Sequence, residues 1–164
     1  MKELLDKISS YNLFNYLLPG IIFVYISNQF TDYNFIQDND FIGAFLYYFI
    51  GMIISRIGSL FIEPTLKKFS FLKFTEYKSF VSASKKDEKI ELLSEVNNTY
   101  RTITAMFVIL LIMKLYNYFQ VCWSIPKNVT TLVLVVSIFL IFLFSYRKQT
   151  KYITKRIAAN NNNA

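Results

Sequence analysis

The chain has 164 residues, 54% of them hydrophobic and only 18% charged, with a mean hydropathy of +0.33 and a formal net charge of +7. Average globular chains carry roughly 25% charged residues, so this deficit, together with 17 Phe and 12 Tyr, argues against disorder and against an ordinary soluble domain. With no His and one Cys, zinc sites built on His or paired Cys are excluded, as are His-dependent triads and an intrachain disulfide framework.

The first ten residues place Leu4, Leu5 and Ile8, with Tyr11 following, on one side of a helix and charges on the other. That pattern reads either as a short helix lying at a membrane interface or as the start of the first span. Four hydrophobic segments follow, and a helix needs roughly 20 mostly apolar residues to cross a bilayer core about 30 Å thick. Residues 11–30 are the weakest, interrupted by Asn12, Asn15, Pro19, Asn28 and Gln29. Residues 41–62 form the second, 103–119 the third and 129–146 the fourth. The third and fourth are joined by a connection short enough to force an antiparallel hairpin. From Leu132 to Phe144 the only polar residue is Ser137. A water-soluble bundle would show a polar outer face there with a 3.6-residue period. The expected fold is therefore an all-α integral membrane protein with four transmembrane helices and a helical segment, residues 63–102, between the second and third. Residues 1–62 hold the first pair of spans, 103–146 the hairpin and 147–164 a basic tail. Residues 158–164 are set aside as a low-complexity or appended end without packing information.

Lys and Arg accumulate on the cytoplasmic side of short membrane loops. Eight lie in residues 63–102, five in the tail and two in the first ten residues, against Lys127 alone on the opposite side. Both termini and the central segment are thus expected in the cytoplasm, with Trp123, Tyr116 and Tyr118 at the outer interface.

Within the central segment, Pro64 suggests a new helix opening after Glu63, and Ser84-Lys85-Lys86-Asp87 has the form of a capping box for a helix over 85–96. A segment this size cannot bury a core of its own, so its apolar stripes, such as Tyr77, Phe80 and Val81, call for other copies of the chain or a second protein. Lys67, Lys68, Lys73, Lys85 and Lys86 interleave with Phe69, Phe71, Phe74 and Tyr77. Lysines neutralise phosphates and aromatic faces stack bases, which makes these lysines candidate ligand-binding residues. Contact with anionic lipid heads is the plainer alternative.

Polar residues inside the spans supply the remaining candidates. Asn12, Asn15 and Arg56 are expected to line a wettable lumen, with Pro19 as a hinge or kink beside it, because amides and cations facing lipid are unfavourable. Arg56 can also snorkel to the cytoplasmic interface or pair with Glu63 or Glu95. Lys114 is read as snorkelling outward. Gly51, Ser55 and Ser59, with Gly58 adjacent, form a small-residue stripe that lets helices approach closely. No carboxylate falls within the four spans, which disfavours proton-coupled transport. Cys122 is read as a buried small apolar residue rather than a nucleophile, and no catalytic constellation, metal site or cofactor is expected; the chain is read as a non-enzyme.

The stretches YFIGMIISRIGSLFIEPTLKK (residues 48–68) and SASKKDEKIELLSEVNNTYRT (residues 82–102), with the four-span layout, resemble the small membrane effectors of bacterial antiphage defence. The Hailong-type membrane effector is one such family, and the Kiwa-type membrane component is similar too. The resemblance implies a homo-oligomeric, ion-conducting assembly in the bacterial inner membrane, with a tetramer as the first guess. It also implies opening controlled by an oligonucleotide from a partner nucleotidyltransferase. A non-conducting adaptor that anchors a cytosolic partner through residues 63–102 is the alternative.

Overall fold

The computed structural model describes residues 12–161, and among them helix is the only regular structure. The residue 1–10 helix and residues 162–164 lie outside the described part. Four helices are long and apolar enough to cross a membrane: α1 (Leu13–Phe30), α2 (Asp40–Lys68), α4 (Lys89–Cys122) and α5 (Lys127–Asn161). A short helix, α3 (Tyr77–Ser84), sits between the two pairs.

Both prolines in the first pair of helices are absorbed by the same device. Leu13–Leu17 and Gly58–Ile62 are widened, π-type turns. The last wide bond of each is donated by the residue just before a proline: Leu18 N–H to the Leu13 carbonyl, and Glu63 N–H to the Gly58 carbonyl. A proline ring collides with the carbonyl four residues back and offers it no donor. Widening the turn moves that carbonyl aside, as π-bulges do. The chain therefore passes Pro64 without starting a new helix, contrary to the sequence expectation, and α2 runs on to Lys68.

The capping expectation at Ser84 is also corrected. The Ser84 hydroxyl donates back to the Val81 carbonyl at 3.2 Å, and Asp87 Oδ1 instead accepts from Lys89 N–H at 3.0 Å. From Lys89 the helix continues unbroken for 34 residues, about 51 Å at 1.5 Å per residue, so nothing separates a central segment from the third span near residue 102. The end of the chain departs from expectation as well, because residues 158–161 extend α5 rather than forming a patternless end.

Helices α2 and α4 stop in the same way. Phe71 N–H reaches the Leu66 carbonyl and Ile125 N–H the Gln120 carbonyl, both at 3.0 Å, around Ser70 (φ 59°) and Ser124 (φ 49°). Both are Schellman endings with serine in the left-handed position that glycine usually fills.

The core is a three-helix contact of α1, α2 and α4, made by Phe23, Val24, Ile54, Ala105, Met106 and Leu110. At its centre α1 and α2 cross backbone to backbone. A Cβ on Gly20 would fall 1.9 Å from the Tyr47 carbonyl oxygen, and one on Gly51 1.8 Å from that of Tyr16. Helix α5 is peripheral, with only 6% of its most apolar stretch buried. It touches the core helices through Phe142, stacked on Phe49 at 5.9 Å. Near the lysine-rich end it receives α3, whose Tyr77 ring lies 6.0 Å from Tyr152 while Val81 is buried. The apolar stripe of α3 thus finds cover within its own chain. Leu92, Leu93, Val96 and Tyr100 on α4 stay exposed.

Candidate functional site

Two polar layers hold the helices together, and both are built from side chains that a lipid-facing surface could not carry. In the first, Asn15 of α1, Ser55 of α2 and Thr102 of α4 meet with essentially no solvent exposure. The Asn15 amide donates to Ser55 Oγ at 3.3 Å. The Thr102 hydroxyl donates to Asn15 Oδ1 at 2.7 Å and also lies 3.2 Å from Ser55 Oγ and 2.9 Å from the Asn98 carbonyl. Thr102 has one hydroxyl proton, and the shortest contact assigns it to Asn15. The Ser55 proton can then point back at Thr102, closing a three-member ring in which each side chain both gives and accepts.

The second layer lies toward the lysine-rich end. Glu63, 8% exposed, takes Arg101 Nη1 at 2.7 Å on one oxygen and Lys67 Nζ at 2.8 Å on the other. Lys148 of α5 donates to the Ser59 carbonyl at 2.6 Å and to Ser59 Oγ at 2.7 Å. Its charge is felt alongside those of Glu63, Arg101, Lys67 and Arg56. Arg56 Nη2 donates to the Tyr16 hydroxyl at 3.1 Å. Three cations, Lys67, Arg101 and Lys148, therefore act on one carboxylate, with Arg56 beside Lys148. Two polar atoms here are buried without a partner, Arg101 Nε and Ser145 Oγ.

At the opposite end, a cleft of about 550 Å³ opens where the α1–α2 loop meets the α4–α5 turn. Tyr33 donates to Gln120, and Asn117 donates to Asp32 Oδ2 at 2.9 Å. Burial, then the neighbouring Tyr116 and Asp32, holds the Tyr33 phenol above its ordinary value.

The sequence-derived candidates divide accordingly. Asn15, expected on a lumen, is instead enclosed by protein, because its amide has found two hydroxyls to bond. Pro19 is likewise buried against its neighbours, while Asn12 is half-buried. Arg56 bonds to Tyr16 rather than to Glu63 or Glu95, and Glu63 is taken by Lys67 and Arg101. In the small-residue stripe, Gly51 meets the α1 backbone, Ser55 joins the polar ring, Gly58 lies against Arg101 and Ala105 of α4, and Ser59 holds Lys148. Lys67 also sits 3.9 Å over the Phe74 ring. Lys68, Lys73, Lys85 and Lys86 are exposed. Lys114 lies 5.2 Å from the Phe30 ring centroid, and Cys122, expected to be buried, is exposed at the end of α4. Sequence reasoning overlooked Thr102, Tyr16, Ser145 and the role of Lys148. Of these, Thr102 and Ser145, each a polar residue at the edge of an apolar run, carried a local signal.

Family models, curated proteins and solved structures offer no match to this chain.

Proposed function

We propose that the chain acts in the bacterial inner membrane as a homo-oligomeric ion channel or pore-forming effector, gated from its lysine-rich, cytosolic end. On this reading the assembly is a tetramer, the ligand is an oligonucleotide from a partner nucleotidyltransferase, and the result is membrane depolarisation in antiphage defence. The observation that supports it is the continuity of α4. One rod carries Glu91, paired with Arg156 at 3.7 Å near its lysine-rich start, and Thr102 in the buried ring. A displacement of the exposed end is thereby transmitted to the layer where three helices are tied. The lumen is then walled by faces a single chain leaves open, with Asn12 among them, and Asn15 acts as a tie beside it. Purified protein in planar bilayers should conduct, and Lys85→Glu with Lys86→Glu should change the ligand response without changing insertion. Absence of conductance with and without the oligonucleotide, together with a membrane potential that never changes in cells expressing the chain with or without its partner, refutes the reading.

A second reading, a non-conducting adaptor, draws on the exposed stripe Leu92, Leu93, Val96 and Tyr100, which is apolar and outside the densest part of the helix packing. Recovery of one stoichiometric protein partner with zero conductance would favour it.

A further inference from the structure

Ser145 is the one buried hydroxyl among the described residues without a hydrogen-bond partner, and it is only 8% exposed. It lines a cleft of about 30 Å³ with Arg56, Ser59, Lys148, Gln149 and Tyr152. An orphaned donor at that depth is costly unless something bonds to it. Arg56 directs Nη2 at the Tyr16 hydroxyl, and a guanidinium offers five N–H donors. Lys148 has a third ammonium proton beyond the two directed at Ser59. The surrounding charge is unbalanced, with Arg56, Lys67, Arg101 and Lys148 set against Glu63 alone. A neutral guest would leave that imbalance unchanged, whereas an anion with several acceptor oxygens would offset it and satisfy Ser145.

We infer that this cleft between α2 and α5 binds a phosphate group, one oxygen entering toward Ser145 Oγ and the others held by Arg56 and Lys148. The cleft admits little more than a single oxygen-sized group, so the ester or free face of the phosphate stays outside. Phosphate rather than carboxylate fits because three separate donors converge from two helices, and a tetrahedral anion presents oxygens in more than one plane. The group is supplied either by a phospholipid head or by a soluble phosphate. This inference is independent of conduction and stands even if the protein is an adaptor.

The test uses the full chain, stripped of lipid in detergent, with bound molecules counted by native mass spectrometry and melting followed by fluorescence. The probes are dioctanoyl phosphatidylglycerol, dioctanoylglycerol and inorganic phosphate. Phosphatidylglycerol should bind at one per chain and raise the melting temperature, and dioctanoylglycerol should not. Matching stabilisation by inorganic phosphate assigns a soluble source; stabilisation by phosphatidylglycerol alone assigns a lipid head. Ser145→Val fills the cleft without touching a charge and should weaken binding at least tenfold, as should Lys148→Met. Lys85→Ala with Lys86→Ala should leave it intact. Equal response to dioctanoylglycerol, no binding by any phosphate probe, or a Ser145→Val protein that binds like the original overturns the assignment.

Discussion

Thr102→Val is a near-isosteric change that removes one hydroxyl from the buried ring. In the parent, that hydroxyl satisfies Asn15 Oδ1 at 2.7 Å and faces Ser55. The valine variant leaves a fully buried amide oxygen without its donor, and the desolvation cost of such a group is about 1–3 kcal/mol. Interhelical hydrogen bonds in membrane proteins average about 0.6 kcal/mol and reach about 1.7. Because the ring loses two contacts in a fully buried setting, the top of that range applies, about 1.5 kcal/mol. The control is Thr104→Val, two residues along the same helix, where the hydroxyl bonds only to the Tyr100 carbonyl and the residue is exposed. Its expected cost is under about 0.5 kcal/mol. Equilibrium unfolding in mixed detergent micelles compares the two. Adding Asn15→Leu to Thr102→Val should recover part of the loss, since the apolar pair no longer strands a polar atom. A Thr102→Val protein as stable as Thr104→Val, or a double variant showing no coupling, would refute the ring as a structural tie.

Six other substitutions probe three independent features. Gly51→Ala places a methyl 1.8 Å from the Tyr16 carbonyl oxygen and should cost about 3 kcal/mol or abolish folding; Gly43→Ala, whose nearest neighbour is the Tyr47 ring at 3.3 Å, should be tolerated, as yield and melting temperature will show. Ser70→Gly and Ser124→Gly relieve left-handed serines and should each stabilise by about 0.5–1 kcal/mol. Glu63→Gln strands Arg101 and should cost about 3 kcal/mol in the same unfolding assay. Lys67→Ala, whose side chain is 41% exposed, should cost under about 1 kcal/mol.

The four long apolar segments were legible because chain length and hydropathy are local properties, summed over one stretch. Helix continuity was less so. Pro64 carries a strong local signal for a helix start, but that signal takes no account of the widened turn Gly58–Ile62 before it, which lets the helix run past the ring. Asn15 shows the deeper limit. A mid-helix amide must face water or a protein group, and sequence alone cannot choose between them. The choice rests on Ser55 and Thr102, which stand 40 and 87 residues away. Lys148 was counted toward topology with the other tail cations, and only the folded chain shows that it reaches across to Ser59.

The polar ties share one property with a consequence for how the molecule comes together. Asn15 and Ser55 to Thr102, Glu63 to Arg101, Ser59 to Lys148, and Asp32 to Asn117 all join the first pair of long helices to the second. The exposed strap over residues 69–76 is the covalent bridge that leads from one half toward the other. The first half already mates Asn15 with Ser55, so it can wait with its amide half-satisfied until Thr102 arrives. Assembly can then proceed as two separately formed helix pairs that come into register, and a chain severed in the strap keeps every one of those bonds.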